Sequence, residues 1–257
     1  MMRSISAVKQ KQIGIQTAAL LFWLVVWQGV SMAIGQEILL VSPVSVVLRL
    51  LELMGQRLFW DSVRFSFVRI VSGFLLALAA GTLFAVISAT IRTVRILLSP
   101  LISTIKSTPV ASFIILCLIW VDSQNLSVII AFLMVFPVVY INMLQGIDSA
   151  DRQLLEMADI FHINGMRRAL YIYIPQLMPY FLSACTVSLG LCWKSGVAAE
   201  VIGIPTGSIG EKLYQAKLFL ATADLFAWTL TIILISTLFE RLFLWLVGRV
   251  CHKIERM

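Results

Sequence analysis

Two ionisable residues, Lys194 and Glu200, stand in an otherwise apolar run late in the chain, and Lys106 stands in an earlier one beside Pro109. Charge in an apolar run is costly unless it meets a partner or water, so such residues are candidates for holding or gating a charged solute rather than for bond-making. Lys194 and Glu200 are six apart, about 600° around a helix and about 120° off a common face, so they are not assumed to pair. Lys194 lies deep enough to line a cavity for an anion, with snorkelling or a structural pair to another span as equal readings. Glu200, nearer the end of its run, reads as a gate or loop anchor. Arg69 can anchor a boundary and Lys106 can face a vestibule, although a structural role leads for both. Pro109 can kink or interrupt its helix, leaving carbonyls free toward a pathway.

Catalytic groupings are missing from the sequence. There is no G-x-x-x-x-G-K-[S/T] phosphate loop; the Lys194-Ser195 pair follows Trp193 in an apolar run, so any ATP and Mg must be held by another chain. His162 and His252 fall in a loop and a tail, outside any H-E-x-x-H arrangement. Cys117, Cys185, Cys192 and Cys251 lack metal-ligand spacing, and three of them fall in apolar runs where cysteine behaves as a small hydrophobe. Neither a zinc site, a disulfide framework nor a redox cofactor is indicated. An intramembrane serine protease would need a basic partner facing its serine, and both histidines lie outside the runs. The sequence reads as that of a non-enzyme with no cofactor of its own.

The elements that position these residues follow from composition. Of 257 residues 60% are hydrophobic and 13% charged, with mean hydropathy +0.96, against about 25% charged in soluble domains. A helix crosses a bilayer with roughly 20 apolar residues. Six candidate spans lie at 15–35, 67–91, 97–120, 126–146, 175–199 and 225–248. The third carries Lys106 and Pro109, and a five-span chain with a partly re-entrant third segment is the alternative. Arg3, Lys9 and Lys11 precede the first run as in a signal peptide, but Ile15 to Ile34 exceeds the usual 7–15 apolar residues and lacks a small-x-small cleavage site, so it reads as an uncleaved span.

Charge sets the orientation. With the N-terminus inside, residues 1–14, 92–95, 147–174 and the tail 249–257 contribute 3, 2, 3 and 3 Lys or Arg, whereas the outer segments 36–66 and 200–224 contribute 3 and 2. That asymmetry places both termini in the cytoplasm of a multi-pass membrane protein. The net charge of +7 is therefore topological and does not indicate nucleic acid. The organisation expected is a tail 1–14, one transmembrane domain 15–248 and a tail 249–257.

Residues 147–174 form the longest inner loop and are too charged to be embedded. Asp148 or Ser149 can cap a helix to about Phe161, Asn164-Gly165 is a turn dipeptide, and Met166 to Tyr173 can form a second helix ending before Pro175. Glu156-Met157-Ala158 followed by Ile172-Tyr173-Ile174-Pro175 resembles the EAA loop of ABC importer permeases, with the family's nineteen-residue offset from Glu156 to Pro175. Met157 replaces an Ala of that pattern, and the family's Gly position falls on His162, with Gly165 three residues later.

Further matches resemble the nitrate/sulfonate/taurine-type permeases. These are Ser42-Pro43, the Ser66 to Arg69 and Gly73-Phe74 entry to the second span, Pro100 and Pro109, Trp193-Lys194 through Glu200 with Gly203, Gly207 and Gly210, and Phe239-Glu240-Arg241. Val121-Asp122 departs from the usual Phe-Gly. The resemblance implies an all-α, polytopic type I importer permease of about six transmembrane helices in a bacterial cytoplasmic (inner) membrane. It would dimerise, most simply with itself, within membrane lipid, and be fed by an extracellular or periplasmic substrate-binding protein. A coupling helix in the loop would dock on cytoplasmic ATPase subunits, with Glu156 and Ala158 near the contact and the loop completed by His162, Gly165 and Pro175. The solute implied is a small anion. An ion-gradient-driven secondary transporter, expected to carry interrupted helices in two corresponding halves, and a membrane scaffold are the competing readings.

Overall fold

A long apolar segment out of water satisfies its backbone groups only as a helix or a closed barrel, and this chain is all-α, with no strand among its described residues. The structure, a computed structural model, describes the backbone of residues 2–254 and the side chains of 14, 15 and 17–249. The side chains of Arg3, Lys9, Lys11, Cys251, His252, Lys253 and Arg256 lie outside the described residues. The helices are α1 (Met2–Ile34), α2 (Pro43–Met54), α3 (Arg57–Thr90), α4 (Arg92–Ser107), α5 (Val110–Cys117), α6 (Ser123–Asp148), α7 (Arg152–Ile160), α8 (Gly165–Arg168), α9 (Ile174–Gly203), α10 (Ile209–Leu218) and α11 (Thr222–Ile254).

Within α1, α3, α6, α8–α9 and α11 lie five stretches long and apolar enough to cross a membrane, and α4 with α5 makes a sixth if the bent pair counts as one span. The third expected span, 97–120, is broken at Thr108-Pro109, where the axis turns by 105°, the interruption that Pro109 allows. Proline has no N–H to give and pushes the residue before it out of the helical region, and Thr108 is extended at φ −83°, ψ 131°. Pro109 then starts the new helix, its carbonyl accepting from the N–H groups of Ser112 and Phe113 at 3.0 and 3.3 Å. The helix that holds the second expected span starts ahead of it, at Arg57, with Arg57, Asp61 and Arg64 in its first turns.

The chain divides into two compact units. The first comprises Met1–Trp60 and Lys212–Thr231. In it Ser42 caps α2 by accepting the Ser45 N–H at 3.1 Å, and Val46, Leu50 and Leu53 form the buried face of that helix. Arg49 ties α2 to the start of α11 through Asp224, and Phe59 stacks on Trp228 with centroids 5.0 Å apart. Hydrogen bonds to Asp224 and Glu52 hold the Arg49 guanidinium above its ordinary pKa.

The second unit, Asp61–Glu211 and Ile232–Met257, holds the main core. Its centre is α6, with Ile130, Val135, Val139 and Tyr140 buried, packed along α9 and α3. Small residues let the helices meet closely in a setting where lipid supplies no hydrophobic drive: a Cβ on Gly73 would lie 2.4 Å from the Val128 carbonyl, and one on Gly196 2.7 Å from Ile70. Phe67, Phe74, Trp193, Phe239 and Phe243 fill the layer between α3, α9 and α11, with Phe74 and Phe243 edge to face at 5.1 Å.

Candidate functional site

Glu200 sits one turn before the end of α9 and is fully buried. Its Oε2 accepts the Ser66 hydroxyl at 2.6 Å and the Gly210 N–H at 3.3 Å, while Ser66 Oγ accepts the Ile209 N–H at 2.9 Å. The first N–H groups of α10 thus end on α3 and α9. Ser208 accepts the Glu211 N–H at 2.9 Å, and the Glu211 carboxylate accepts the Gly207 N–H at 2.6 Å. The Ser208-x-x-Glu211 spacing is a capping signature that the sequence reading passed over. Glu200 is closed off from the surface here, with its Oε1 buried and without a hydrogen-bond partner among the described residues.

Arg69 lies on α3 one turn beyond Ser66. Its guanidinium rests 3.9 Å from the centre of the Phe65 ring and donates to the Gln124 carbonyl in the first turn of α6. It and Glu200 therefore sit among the same three helices, α3, α6 and α9.

Lys194 takes a different environment from Glu200, as the 120° offset demands. It is exposed, with no partner among the described residues, and lines a cavity of about 340 Å³ between α9 and α11 with Trp193, Val197, Ile232, Ser236 and Glu240. Glu240 is likewise without a partner among the described residues and was missed as a site residue in the sequence.

The face of α4 is more informative. Ile102 and Ile105 are buried against the body of the unit, whereas Ser99, Ser103, Lys106 and Ser107 are exposed at spacings of four, three and one, on one flank. Lys106 lies in the last turn, where a cation suits the carbonyl end of the helix. Thr104, Ser107 and Thr108 turn their hydroxyls back onto carbonyls of Pro100, Ser103 and Thr104 at 2.7–3.2 Å, leaving only oxygen lone pairs outward beside the break at Pro109. The i, i+4, i+8 hydroxyl pattern of Ser99, Ser103 and Ser107 is present in the sequence, hidden when 97–120 is read as one apolar run.

The loop between α6 and α9 folds differently from expectation at four points. Asp148 ends α6 and pairs with Arg95 at 2.7 Å, and Ser149 is the C-cap, bonded to the Tyr180 hydroxyl at 2.8 Å. The cap of α7 is Asp151, whose side chain accepts the Gln153 N–H at 2.8 Å. Asn164-Gly165 is no turn: Asn164 caps α8 and Gly165 is its first residue. The second helix does not stop before Pro175, because a π turn over Ala169–Tyr173 leads directly into α9, and its wider ring tolerates the N–H missing at Pro175. Reversal after α7 falls on His162, at φ 48°. The Ile163 N–H reaches the Ala158 carbonyl at 2.9 Å and the His162 N–H that of Asp159 at 3.1 Å, the bond pair of a Schellman motif.

Ala158 is fully buried, so the close approach its size permits is within this chain. Glu156 is exposed on the outer face of α7. On the same loop Met157, Ile160, Phe161 and Met166 are exposed by 47, 75, 71 and 78%, a concentration of large apolar side chains on a charged segment. Next to them His162, Ile163, Asn164, Arg167 and Tyr171 line a cavity of about 560 Å³. Arg168 pairs with Asp159 and closes the loop on itself. Among the described residues no group of three or more His, Cys, Asp or Glu could hold a metal.

Residues 77–252 match the family model described as binding-protein-dependent transport system inner membrane component. The chain is 25% identical to the taurine transport system permease protein of Escherichia coli over 90% of this chain and 86% of that one. It is 28% identical to the riboflavin transport system permease protein of Chloroflexus aurantiacus over 93% and 92%. It is also 26% identical to a Bacillus subtilis protein named for aliphatic sulfonates transport, over 79% and 74%.

Proposed function

This chain belongs to the family of binding-protein-dependent transport system inner membrane components, and from that premise we propose how its parts serve as the permease of an ABC importer. It is a multi-pass membrane transporter subunit and not an enzyme. The carrying observation is the loop between α6 and α9: a helix, α7, that offers Glu156 amid exposed Met157, Ile160 and Phe161. In our reading this surface docks on a cytoplasmic ATPase subunit, which holds ATP and Mg, and the far end of the spans receives a substrate-binding protein. Both termini, 1–14 and 249–257, lie in the cytoplasm on either side of one transmembrane domain, 15–248, in the bacterial inner membrane.

A polar flank on a span cannot face lipid without cost. We therefore assign the Ser99, Ser103, Lys106 and Ser107 flank of α4 to a water-filled pathway, completed by a second copy of the chain. Its lone lysine, with Lys194 as a second cation, favours a small anion such as a sulfonate, the class named for the taurine and sulfonate relatives. Glu200 and Arg69 serve this reading as anchors that set where α3, α6 and α9 meet, and Pro109 as the point where the pathway changes direction. A secondary transporter would show interrupted helices in both halves; among the described residues α4 and α5 form the one bent pair.

The test is purification of the chain from its own membrane in detergent, with partners identified by mass spectrometry and ATP hydrolysis assayed. A P-loop ATPase that co-purifies and is lost on Glu156→Lys supports the assignment. Recovery of the chain alone, with ion-driven uptake in vesicles, overturns it.

A further inference from the structure

Where α3 ends and α4 begins, Ser88, Thr90, Arg92, Arg95, Ile96 and Ser99 line an open cleft of about 600 Å³. Its cations are not equivalent. Arg95 places both terminal nitrogens on Asp148, at 2.7 and 3.2 Å, leaving its inner N–H edge. Arg92 is exposed and donates to nothing among the described residues. The Ser99 hydroxyl is likewise uncommitted there, whereas Thr90 spends its proton on the carbonyls of Val86 and Ile87. The cleft therefore offers a free guanidinium fork, a second guanidinium edge and one hydroxyl donor, arranged around a space wide enough for a small polyatomic anion.

A guanidinium binds a tetrahedral oxyanion through two parallel N–H···O bonds, which a point charge such as lysine does not reproduce. We infer that this cleft is a binding site for a tetrahedral oxyanion, a sulfonate or phosphate group, gripped by Arg92 and shared with Arg95. Arg95 is the positioning residue: the anion competes with Asp148 for the same guanidinium, and Asp148 is the last residue of α6 before the loop that carries α7. Occupancy of the cleft thereby loosens the foot of that loop, which Ser149–Tyr180 and Asp151–Gln176 bonds otherwise hold at 2.8 Å each. The oxyanion has two possible sources. A solute anion would arrive along the α4 flank that continues from Ser99 through Ser103 to Lys106, which rests on the transport reading above. A phospholipid headgroup would lie beside the exposed Ile91 and Ile96, which needs only that the chain is embedded in a membrane.

The experiment uses the full chain in phosphatidylcholine nanodiscs, with and without phosphatidylglycerol, titrated with ethanesulfonate and with inorganic phosphate. Hydrogen exchange of amides 149–160 and native mass spectrometry of retained lipid are read together. Arg92→Gln should weaken binding about fivefold, the loss of one basic residue at such a surface, and Arg92→Lys should recover only part of it. Faster exchange at 149–160 on binding, absent in Arg92→Gln, supports the inference. Binding of the soluble anions without retention of phosphatidylglycerol assigns the solute source, and the converse assigns the headgroup. No binding of either kind, or equal binding by wild type and Arg92→Gln, overturns the site. Co-purification of the ATPase is scored in the same preparations, so failure of the transport reading is seen separately.

Discussion

A Cβ on Gly210 would lie 2.3 Å from the Cβ of Glu200 and 2.4 Å from its carbonyl carbon. The start of α10 is thus seated directly on the backbone of α9, at the same point where the Glu200 carboxylate accepts the Gly210 N–H.

Gly210→Ala has no flexible neighbour to displace, only backbone, and should destabilise by at least the ~1–3 kcal/mol of core overpacking. Thermal unfolding of the detergent-solubilised protein should show a lower midpoint. Ser66→Ala leaves the buried Ile209 N–H and Glu200 Oε2 each short of a partner and should cost about 1–3 kcal/mol. A midpoint unchanged in both variants would remove the Glu200 clamp from the account of stability.

His162 holds a left-handed conformation that costs a non-glycine residue roughly 1–2 kcal/mol. His162→Gly should therefore slow hydrogen exchange of the loop amides near 158–163, by a factor of about ten for 1.4 kcal/mol. His162→Val should speed it. Unaltered exchange in the glycine variant would mean that the strain is relieved elsewhere.

At the α7 surface the apolar side chains should outweigh the charge. Buried aromatic anchors in protein interfaces typically cost about 2 kcal/mol or more on truncation, and rim charges less. Phe161→Ala should thus weaken ATPase co-purification more than Glu156→Gln does, whereas Glu156→Lys, which adds a repelling charge, should abolish it. Quantified pull-downs in which Phe161→Ala retains full partner occupancy would relocate the contact.

Lys106 and Lys194 are exposed and have no partner among the described residues, so neither Lys106→Ala nor Lys194→Ala should lower the unfolding midpoint measurably. If the α4 flank is the pathway, Lys106→Ala should reduce anion uptake by vesicles containing the assembled complex by about tenfold, one well-placed charge-assisted contact. Lys194→Ala should also reduce uptake. A full substrate titration with wild-type uptake in either variant would take that lysine out of the path.

The spans are legible from composition because a long apolar segment in lipid must satisfy its own backbone groups, and the loop between α6 and α9 is legible as a charged stretch between two of them. Packing partners are not. Glu200 reads alike as gate or anchor until Ser66, distant in sequence, is seen beside it. Ala158 reads as a contact residue until the turn of α7 buries it. The interruption at Pro109 is legible in the sequence but its 105° angle is not, since the bend depends on what Ile102, Ile105 and Ile114 pack against rather than on the proline alone. His162 was noticed as a departure from a glycine, yet only its φ of 48° shows that the backbone still adopts the glycine conformation.

The π turn before Pro175 joins the loop and the span into one helical stretch, Gly165–Gly203, of 39 residues. At 1.5 Å per residue that is a rod of about 58 Å, with the α7 surface at one end and the Glu200 clamp near the other. A rocking of about 5° about its midpoint would carry each tip some 2–3 Å in opposite directions, so a small torque applied at the loop is delivered as an equal and opposite stroke at the far face.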